Sequence, residues 1–375
     1  MTIEPAEYAA RLKAFRKSAL ADAPKGAVLI AHLPNIRYLS GFTGHDSYLL
    51  VTAEKVILLT DGRYITQAKE ECPSVEVALV DMKRHVNRKV TGASGHPMNL
   101  YEQLHVHKIK QLHVDPAQLS ASLYLALTEV LGKIKLKRLS GVVELQREVK
   151  SKAEIVCLRN AIQLAQSAYR TLKREIRPGL SERDISAELR YIMVRRLRAE
   201  DQSFDIIAAS GPNAALPHAF PSERKLGAGE ILKLDWGARL EGYHSDLTRT
   251  FFLAPVPASG ELRKIHDVVL RAQEAAIAKI KPGVAWSEVD RAARSLIEAA
   301  GYGQYFIHSL GHGIGLEIHE GPRLSATSDK KAKVGNVVTV EPGIYLPGVG
   351  GVRIEDDVLV TKTGHEVLSN LSKGV

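Results

Sequence analysis

The sequence predicts an α/β N-terminal domain followed by an α+β domain built from two related halves. Three observations carry this reading. At 375 residues the chain is too long for one ordinary core. Its first third alternates strand-length apolar runs with helical stretches. The remainder repeats one pattern of helix, Pro-Gly, helix and hairpin.

Residues 1–20 mix acids and bases and read as an amphipathic helix, without the apolar stretch of a signal peptide. Apolar runs at 27–30, 48–52 and 55–59 have strand length, and Ala53-Glu54 makes a short turn between the last two. A helix at 63–71, strands at 75–80 and 111–114, a helix near 118–131 and a strand at 135–139 follow. That alternation predicts a mostly parallel, doubly wound sheet. A boundary near 148–151 divides the chain into domains 1–148 and 149–375. Ser151 and Glu154 have capping-box spacing, in which Ser accepts from an early N–H while Glu reaches back, opening a helix to about residue 176.

Ile176-Arg177-Pro178-Gly179 precedes Ser181-Glu182-Arg183-Asp184, and Ile280-Lys281-Pro282-Gly283 precedes Ser287-Glu288-Val289-Asp290. Pro-Gly alone is a common helix breaker. The acids in the hairpins that follow, at 231–253 and 337–361, give the repeat its weight. Asp235 and Asp246 are equidistant from Leu240-Glu241, which predicts that they oppose each other on one face of an antiparallel pair, about 5 Å apart at Cβ. Glu341 and Glu355 are equidistant from Gly348 in the same way. Like charges that close are destabilising without a cation between them. Their flanks, such as Ile231-Leu232-Lys233-Leu234, read as structured strand and not as solvated loop. Four such carboxylates on one sheet call for about two divalent cations.

Gly311-His312-Gly313-Ile314-Gly315 offers a nitrogen ligand, since alternating glycines mark close backbone approach or an irregular path. That irregular path also allows His319 to come near, although a regular strand would put it on the opposite face. Oxygen-dominated ligation with one imidazole favours Mn(II) or another hard divalent ion over structural zinc. Two ions about 3.5–4 Å apart can hold a hydroxide and polarise a carbonyl, which hydrolysis at neutral pH requires.

Composition bounds the other classes. The net charge of +9 and pI near 9.3 raise nucleic-acid binding. The basic residues are dispersed, however, as in Lys133, Lys135, Lys137 and Arg138, with no aromatic platform between them, so a solvated basic surface is expected. No apolar stretch is long enough to cross a bilayer. Cys72 and Cys157 lie far apart and form no CxxC pair, so reduced thiols in a cytoplasmic protein are expected.

Five segments then carry a resemblance. Leu234-Asp235-Trp236-Gly237-Ala238, Tyr243-His244-Ser245-Asp246-Leu247-Thr248-Arg249-Thr250, Gly311-His312-Gly313-Ile314-Gly315, Val340-Glu341-Pro342-Gly343 and Val352-Arg353-Ile354-Glu355-Asp356 resemble the pita-bread metallopeptidases. Within these, Xaa-Pro dipeptidases and Xaa-Pro aminopeptidases match best. The segments at 35–42 and 60–64 look like the creatinase-type N-terminal domain that accompanies them. The resemblance implies a creatinase-like α/β domain and a pseudo-twofold pita-bread α+β domain.

It also implies roles. Asp235 would chelate one metal, His312 and Glu341 the other, with Asp246 and Glu355 as bridges. Glu341 would also take the proton of the bridging water, and Mn(II), with Co(II) or Zn(II) as substitutes, is the expected ion. His218 and His319 would bind substrate and stabilise the tetrahedral intermediate. Arg353 would hold the carboxylates, and Arg323 would approach the substrate carboxylate. Phe220 or Tyr345 would line a pocket for the proline ring. A homodimer is implied, with Arg37, Tyr38 and His45-Asp46 in a loop that could reach a neighbouring active site. The complete ligand set argues against a catalytically silent pita-bread module. Dipeptidase and aminopeptidase specificity stay open at this point, as does a different N-terminal specificity.

Overall fold

The computed structural model of the chain describes residues 3–23, 25–81, 98–257 and 259–374. Two compact units divide it, Ile3–Arg147 and Glu148–Val375. Among the described residues no helix is long and apolar enough to cross a membrane.

In the first unit, α1 (Pro5–Ala19) buries Leu12, Phe15 and Ala19 at helical spacing. Strands β1 (Gly26–Ile30) and β3 (Val56–Thr60) are apolar runs buried along their whole length, as strands covered on both faces must be. Between them in the sheet lies β2 (Ser47–Thr52), reached from β1 through α2 (Leu33–Ser40). After β3 come α3 (Ile65–Glu71), β4 (Glu76–Leu79), α4 (Leu100–Val106), β5 (Gln111–Val114), α5 (Ala121–Val130), β6 (Lys135–Arg138) and α6 (Val142–Arg147). The sheet order is β4-β3-β2-β1-β5-β6. Outermost, β6 leaves Lys135, Lys137 and Arg138 exposed, the usual guard of a sheet edge.

This sheet is mostly parallel, as predicted, with a single strand reversed. β1–β5, β5–β6 and β3–β4 are parallel, but β2 runs antiparallel to both neighbours. The two-residue turn at Ala53-Glu54 forces the β2–β3 hairpin. One correction concerns Arg37 and Tyr38, which lie on α2 and not in a loop. Pro34 starts that helix and Gly41, at φ 87°, caps its end. Tyr38 is buried with the Arg11 guanidinium 4.1 Å from its ring centroid. His45 and Asp46 do lie in the connection to β2.

The second unit opens with α7 (Lys152–Lys173), whose Ser151–Glu154 capping box forms as expected. It ends before the predicted residue 176, and α8 (Glu182–Tyr191) follows Pro178-Gly179 with a Ser181–Asp184 capping box. The first half then contributes β7 (Asp201–Gln202), β8 (Ile207–Ser210), β9 (Ile231–Trp236), β10 (Ala238–Leu240), β11 (Tyr243–His244) and β12 (Leu247–Phe252). The second half begins with α9 (Glu261–Lys279) and α10 (Trp286–Ala299), split at Pro282-Gly283. Its strands are β13 (Gly311–Gly313), β14 (Glu320–Leu324), β15 (Val337–Val340), β16 (Gly343–Leu346), β17 (Gly350–Arg353), β18 (Asp356–Val360) and β19 (His365–Val367).

Two core clusters fill the unit, one around Leu232, Leu234 and Trp236, the other around Trp286, Ile297 and Val338 and reaching into the first half at Ile207, Ile231 and Phe252. Isolated bridges Ser181–Lys225 and Ala285–Lys331 recur at matching places, just before α8 and α10. The halves are joined where β12 runs beside residues 353–355. Glu355 N donates to Thr248 O at 3.1 Å, and Thr250 Oγ1 donates to Arg353 O at 2.8 Å. That join brings the two acid-bearing hairpins together.

Candidate metal centre

The first hairpin pairs Trp236 with Leu247 and Asp235 with Thr248, and continues with Arg239 opposite His244. Its turn is Glu241-Gly242, with φ of 51° and 77°, the left-handed pair of a two-residue hairpin turn. Asp246 therefore does not oppose Asp235, as the sequence predicted. It stands two residues along, opposite Gly237. A shift of two keeps both acids on one face, so their convergence survives the correction. A Cβ on Gly237 would lie 1.8 Å from Ser245 O, so only glycine lets the strands approach here.

In the second hairpin Gly343 pairs with Arg353 and Val340 with Asp356. The same register carried through the gap sets Glu341 opposite Glu355, as predicted. Glycines hold His312 too. A Cβ at Gly311 would meet Thr339 O at 2.1 Å, and one at Gly313 would meet Gly321 O at 2.0 Å.

These elements bring the five candidate ligands to one cavity of ≈ 260 Å³, which Asp235, Asp246, His312, Glu341 and Glu355 all line. Ligand atoms of Asp246, His312 and Glu355 lie within 4.8 Å of one another. His312 Nε2 is 3.3 Å from Glu341 Oε1 and 3.6 Å from Asp246 Oδ2. Its Nδ1 lies 3.0 Å from Gly313 O, a contact that keeps the proton on Nδ1 and turns Nε2 toward the acids. Arg353 Nη2 pairs with Asp235 Oδ2, and Thr248 Oγ1 donates to Glu355 Oε2 at 2.7 Å. Among the described residues, Asp235 Oδ1 and Glu355 Oε1 are buried without a hydrogen-bond partner.

Electrostatics divides the acids. Burial, then the carboxylates around them, pushes Asp246 and Glu355 well above the usual carboxylate range. Burial would also raise Glu341, but the hydrogen bond and charge of His312, with His308 and Arg353, bring it down to about 2. Buried like charges with unpartnered oxygens facing an imidazole nitrogen are a donor set that suits divalent cations.

Of the other predicted residues, His218 and His319 line this cavity and an adjoining one of ≈ 380 Å³. His319 reaches it because the chain between β13 and β14 is irregular, which sets its ring edge-on to His312 with centroids 4.4 Å apart. Arg323 lies opposite His312 across β13–β14, exposed, and lines the second cavity. Phe220 lines the first at 81% exposure, whereas Tyr345 lines neither. Its hydroxyl instead accepts from Arg353 Nη1 at 2.7 Å and lies 3.0 Å from His308 Nε2.

His308 is a residue the sequence reading missed. It lines the second cavity, and burial lowers its pKa, favouring the neutral ring. The signal was its place four residues before His312, just outside the segment 311–315 that was read as a ligand motif. Asp357 was missed as well: its Oδ2 accepts from Asp246 N at 3.3 Å.

Comparison with known proteins is decided by extent. Residues 156–362 match metallopeptidase family M24, and residues 11–149 match the creatinase/prolidase N-terminal domain. The chain belongs to metallopeptidase family M24. It is therefore an enzyme, with a creatinase-type N-terminal domain and a pita-bread catalytic domain. An Xaa-Pro dipeptidase from Pyrococcus horikoshii is 35% identical over 351 residues, covering 92% of this chain and 93% of that protein. The solved Xaa-Pro dipeptidase from Bacillus anthracis superposes with a TM-score of 0.89 at 37% identity, covering 98% of each chain. The X-Pro aminopeptidase from Thermotoga maritima gives 0.86 at 35% identity, covering 97% of this chain and 98% of its own. Family membership implies divalent metal ions, and the donor set described above fits them.

Proposed function

We propose that this enzyme hydrolyses the Xaa-Pro bond of dipeptides, using two divalent ions held by Asp235, Asp246, His312, Glu341 and Glu355. The observation that carries this is the convergence of those five side chains on one cavity, in a chain similar along nearly its whole length to Xaa-Pro dipeptidases. In that arrangement Asp235 would hold one ion and His312 and Glu341 the other, with Asp246 and Glu355 available to both. The predominantly oxygen donors suit Mn(II), with Co(II) or Zn(II) as substitutes.

Bound there, the ions supply an activated water and polarise the scissile carbonyl. The chain's own groups do the rest. The Glu341 carboxylate accepts the proton released from the attacking water. His218 and His319, on the walls of both cavities, donate hydrogen bonds to the developing oxyanion and carry a proton to the departing nitrogen. That nitrogen is a tertiary amide without an N–H, so a site for it needs an apolar wall and a proton donor. Phe220 supplies apolar surface beside the ligands. Arg323, an exposed cation lining the second cavity, pairs with the carboxylate that directly follows proline in a dipeptide.

Metal-loaded enzyme should cleave Gly-Pro, cleave Gly-Pro-Xaa more slowly, and lose activity on chelation with recovery in Mn(II) or Co(II). Equal cleavage of Gly-Ala would sink the proline reading, and faster cleavage of the tripeptide would make the enzyme an aminopeptidase.

A further inference from the structure

The segment carrying His218 is anchored in an unusual way. Its feet are held by one fully buried acid, Glu182, the first residue of α8. Glu182 Oε1 accepts from Ser210 N at 2.7 Å, and its Oε2 accepts from Ser222 N at 3.1 Å. Between those feet, Leu216 is 57% exposed and Phe220 81%, while Ala214 and Ala219 are buried in the core.

What meets the middle of the segment is an amine. Lys233, on β9, has a wholly buried side chain that points back beneath the segment. Its Nζ donates to Leu216 O at 2.5 Å and lies 3.4 Å from Pro217 O, while Arg353 Nη1 donates to the same Pro217 carbonyl at 3.2 Å. The Tyr345 ring lies 5.0 Å from that Nζ. An amine with so little water around it is costly to bury unless its hydrogen bonds are made, and here they are made to backbone. The alternation of β9 sets Lys233 and Asp235 on the same face, so one strand carries both a metal ligand and this anchor.

We propose that Lys233 is a positioning residue that sets His218 toward the substrate by fixing the carbonyls of the two residues before it. This rests on the role proposed for His218. Lys233 touches neither substrate nor metal. It acts through the backbone, and either protonation state of the amine can donate.

The test is a double-mutant cycle in full-length, metal-loaded enzyme, using Lys233→Met, His218→Ala and both together, with hydrogen–deuterium exchange over 211–222. Lys233→Met keeps the apolar stem. It should lower kcat about 30-fold, the scale of losing hydrogen bonds from a buried amine. KM and metal content should stay near wild type, and exchange in the segment should quicken. The double variant should be no slower than His218→Ala alone, because the two act through one group. Multiplying losses, or unchanged kcat and exchange in Lys233→Met, would overturn the proposal. If His218→Ala alone is fully active, the role of His218 falls, and the exchange measurement still decides whether Lys233 anchors the segment. Should Lys233→Met not fold, Lys233→Gln keeps a shorter donor. It should fall between wild type and His218→Ala in kcat, and wild-type kcat and exchange there would equally overturn the proposal.

Discussion

Asp235 and Asp246 on the first hairpin stand out of register by two residues, whereas Glu341 and Glu355 on the second face each other directly. The turns account for it. The tight Glu241-Gly242 turn sets Thr248, and not Asp246, opposite Asp235, and the Thr248 hydroxyl then reaches across to Glu355. The second hairpin's longer loop leaves its acids opposed. Cations compensate one acid of each hairpin: Arg353 of the second pairs with Asp235 of the first, while His312 lies beside Glu341 within the second half. Asp246 and Glu355 are left chiefly with carboxylates for company. Related halves thus yield two compensated acids and two that depend on a bound cation, one of each from each hairpin.

The largest effect should come from breaking the dependent pair. Asp246→Asn or Glu355→Gln should lower activity by about 10³-fold or more, as expected when a metal-assisted hydrolysis loses its metal, with bound metal read by elemental analysis. The same variants should melt higher than wild type when metal is stripped. The sign follows from folded pKa values raised above the unfolded carboxylate value of about 4. Stability of the metal-free chain is then full below that value and is lost as pH rises through the folded pKa. The gain from either substitution should accordingly be larger at pH 7 than at pH 4. A metal-free Asp246→Asn that melts below wild type at pH 7 would contradict this division of the acids.

Next in size are the two histidines that line both cavities and are proposed to bind substrate. His218→Ala and His319→Ala should each cost about 10²–10³ in kcat, the usual scale for an oxyanion donor, with metal content unchanged. Loss of metal in either variant would make that histidine a ligand.

The turns give a smaller contrast. Gly237→Ala would drive a methyl into Ser245 O and should destabilise by about 3 kcal/mol. Gly348→Ala, at φ 74° with open space around it, should cost only about 1 kcal/mol. Urea unfolding of both reads the difference, and equal losses would mean that the first hairpin relaxes freely.

Smallest is the exposed pair of Arg159 with Glu366 on β19, bonded at 2.8 and 2.7 Å. Arg159's hydrogen bond lowers the Glu366 pKa, so the pair's stabilisation is present above the unfolded carboxylate value and lost as pH falls through the folded one. Both side chains are more than 40% exposed, so solvent screening holds Glu366→Gln to about 0.5 kcal/mol at pH 7. The thermal shift should shrink as pH falls below the unfolded carboxylate value and vanish below the folded one.

What the sequence made legible follows from what is local. The Ser151 capping box, strand segments such as 111–114, and the Glu341–Glu355 register depend on spacing, and spacing is written in the chain. The first hairpin's register was misjudged because Glu241 takes a left-handed conformation that its residue type does not announce. The helix α2 was missed because it lies inside a segment read as a motif, whereas the Ala53-Glu54 turn that reverses β2 was legible from spacing. Lys233 could not be foreseen at all. Nothing local marks a strand lysine as the support of a loop that the fold brings over it.

The most direct test is metal stoichiometry. Chelator-stripped enzyme titrated with Mn(II) and read by calorimetry should bind two ions per chain, with Gly-Pro hydrolysis returning in step. Asp235→Asn should reduce the count to one. Saturation of the wild type at one ion, or full Gly-Pro turnover in the stripped enzyme, would contradict a centre built from these five side chains.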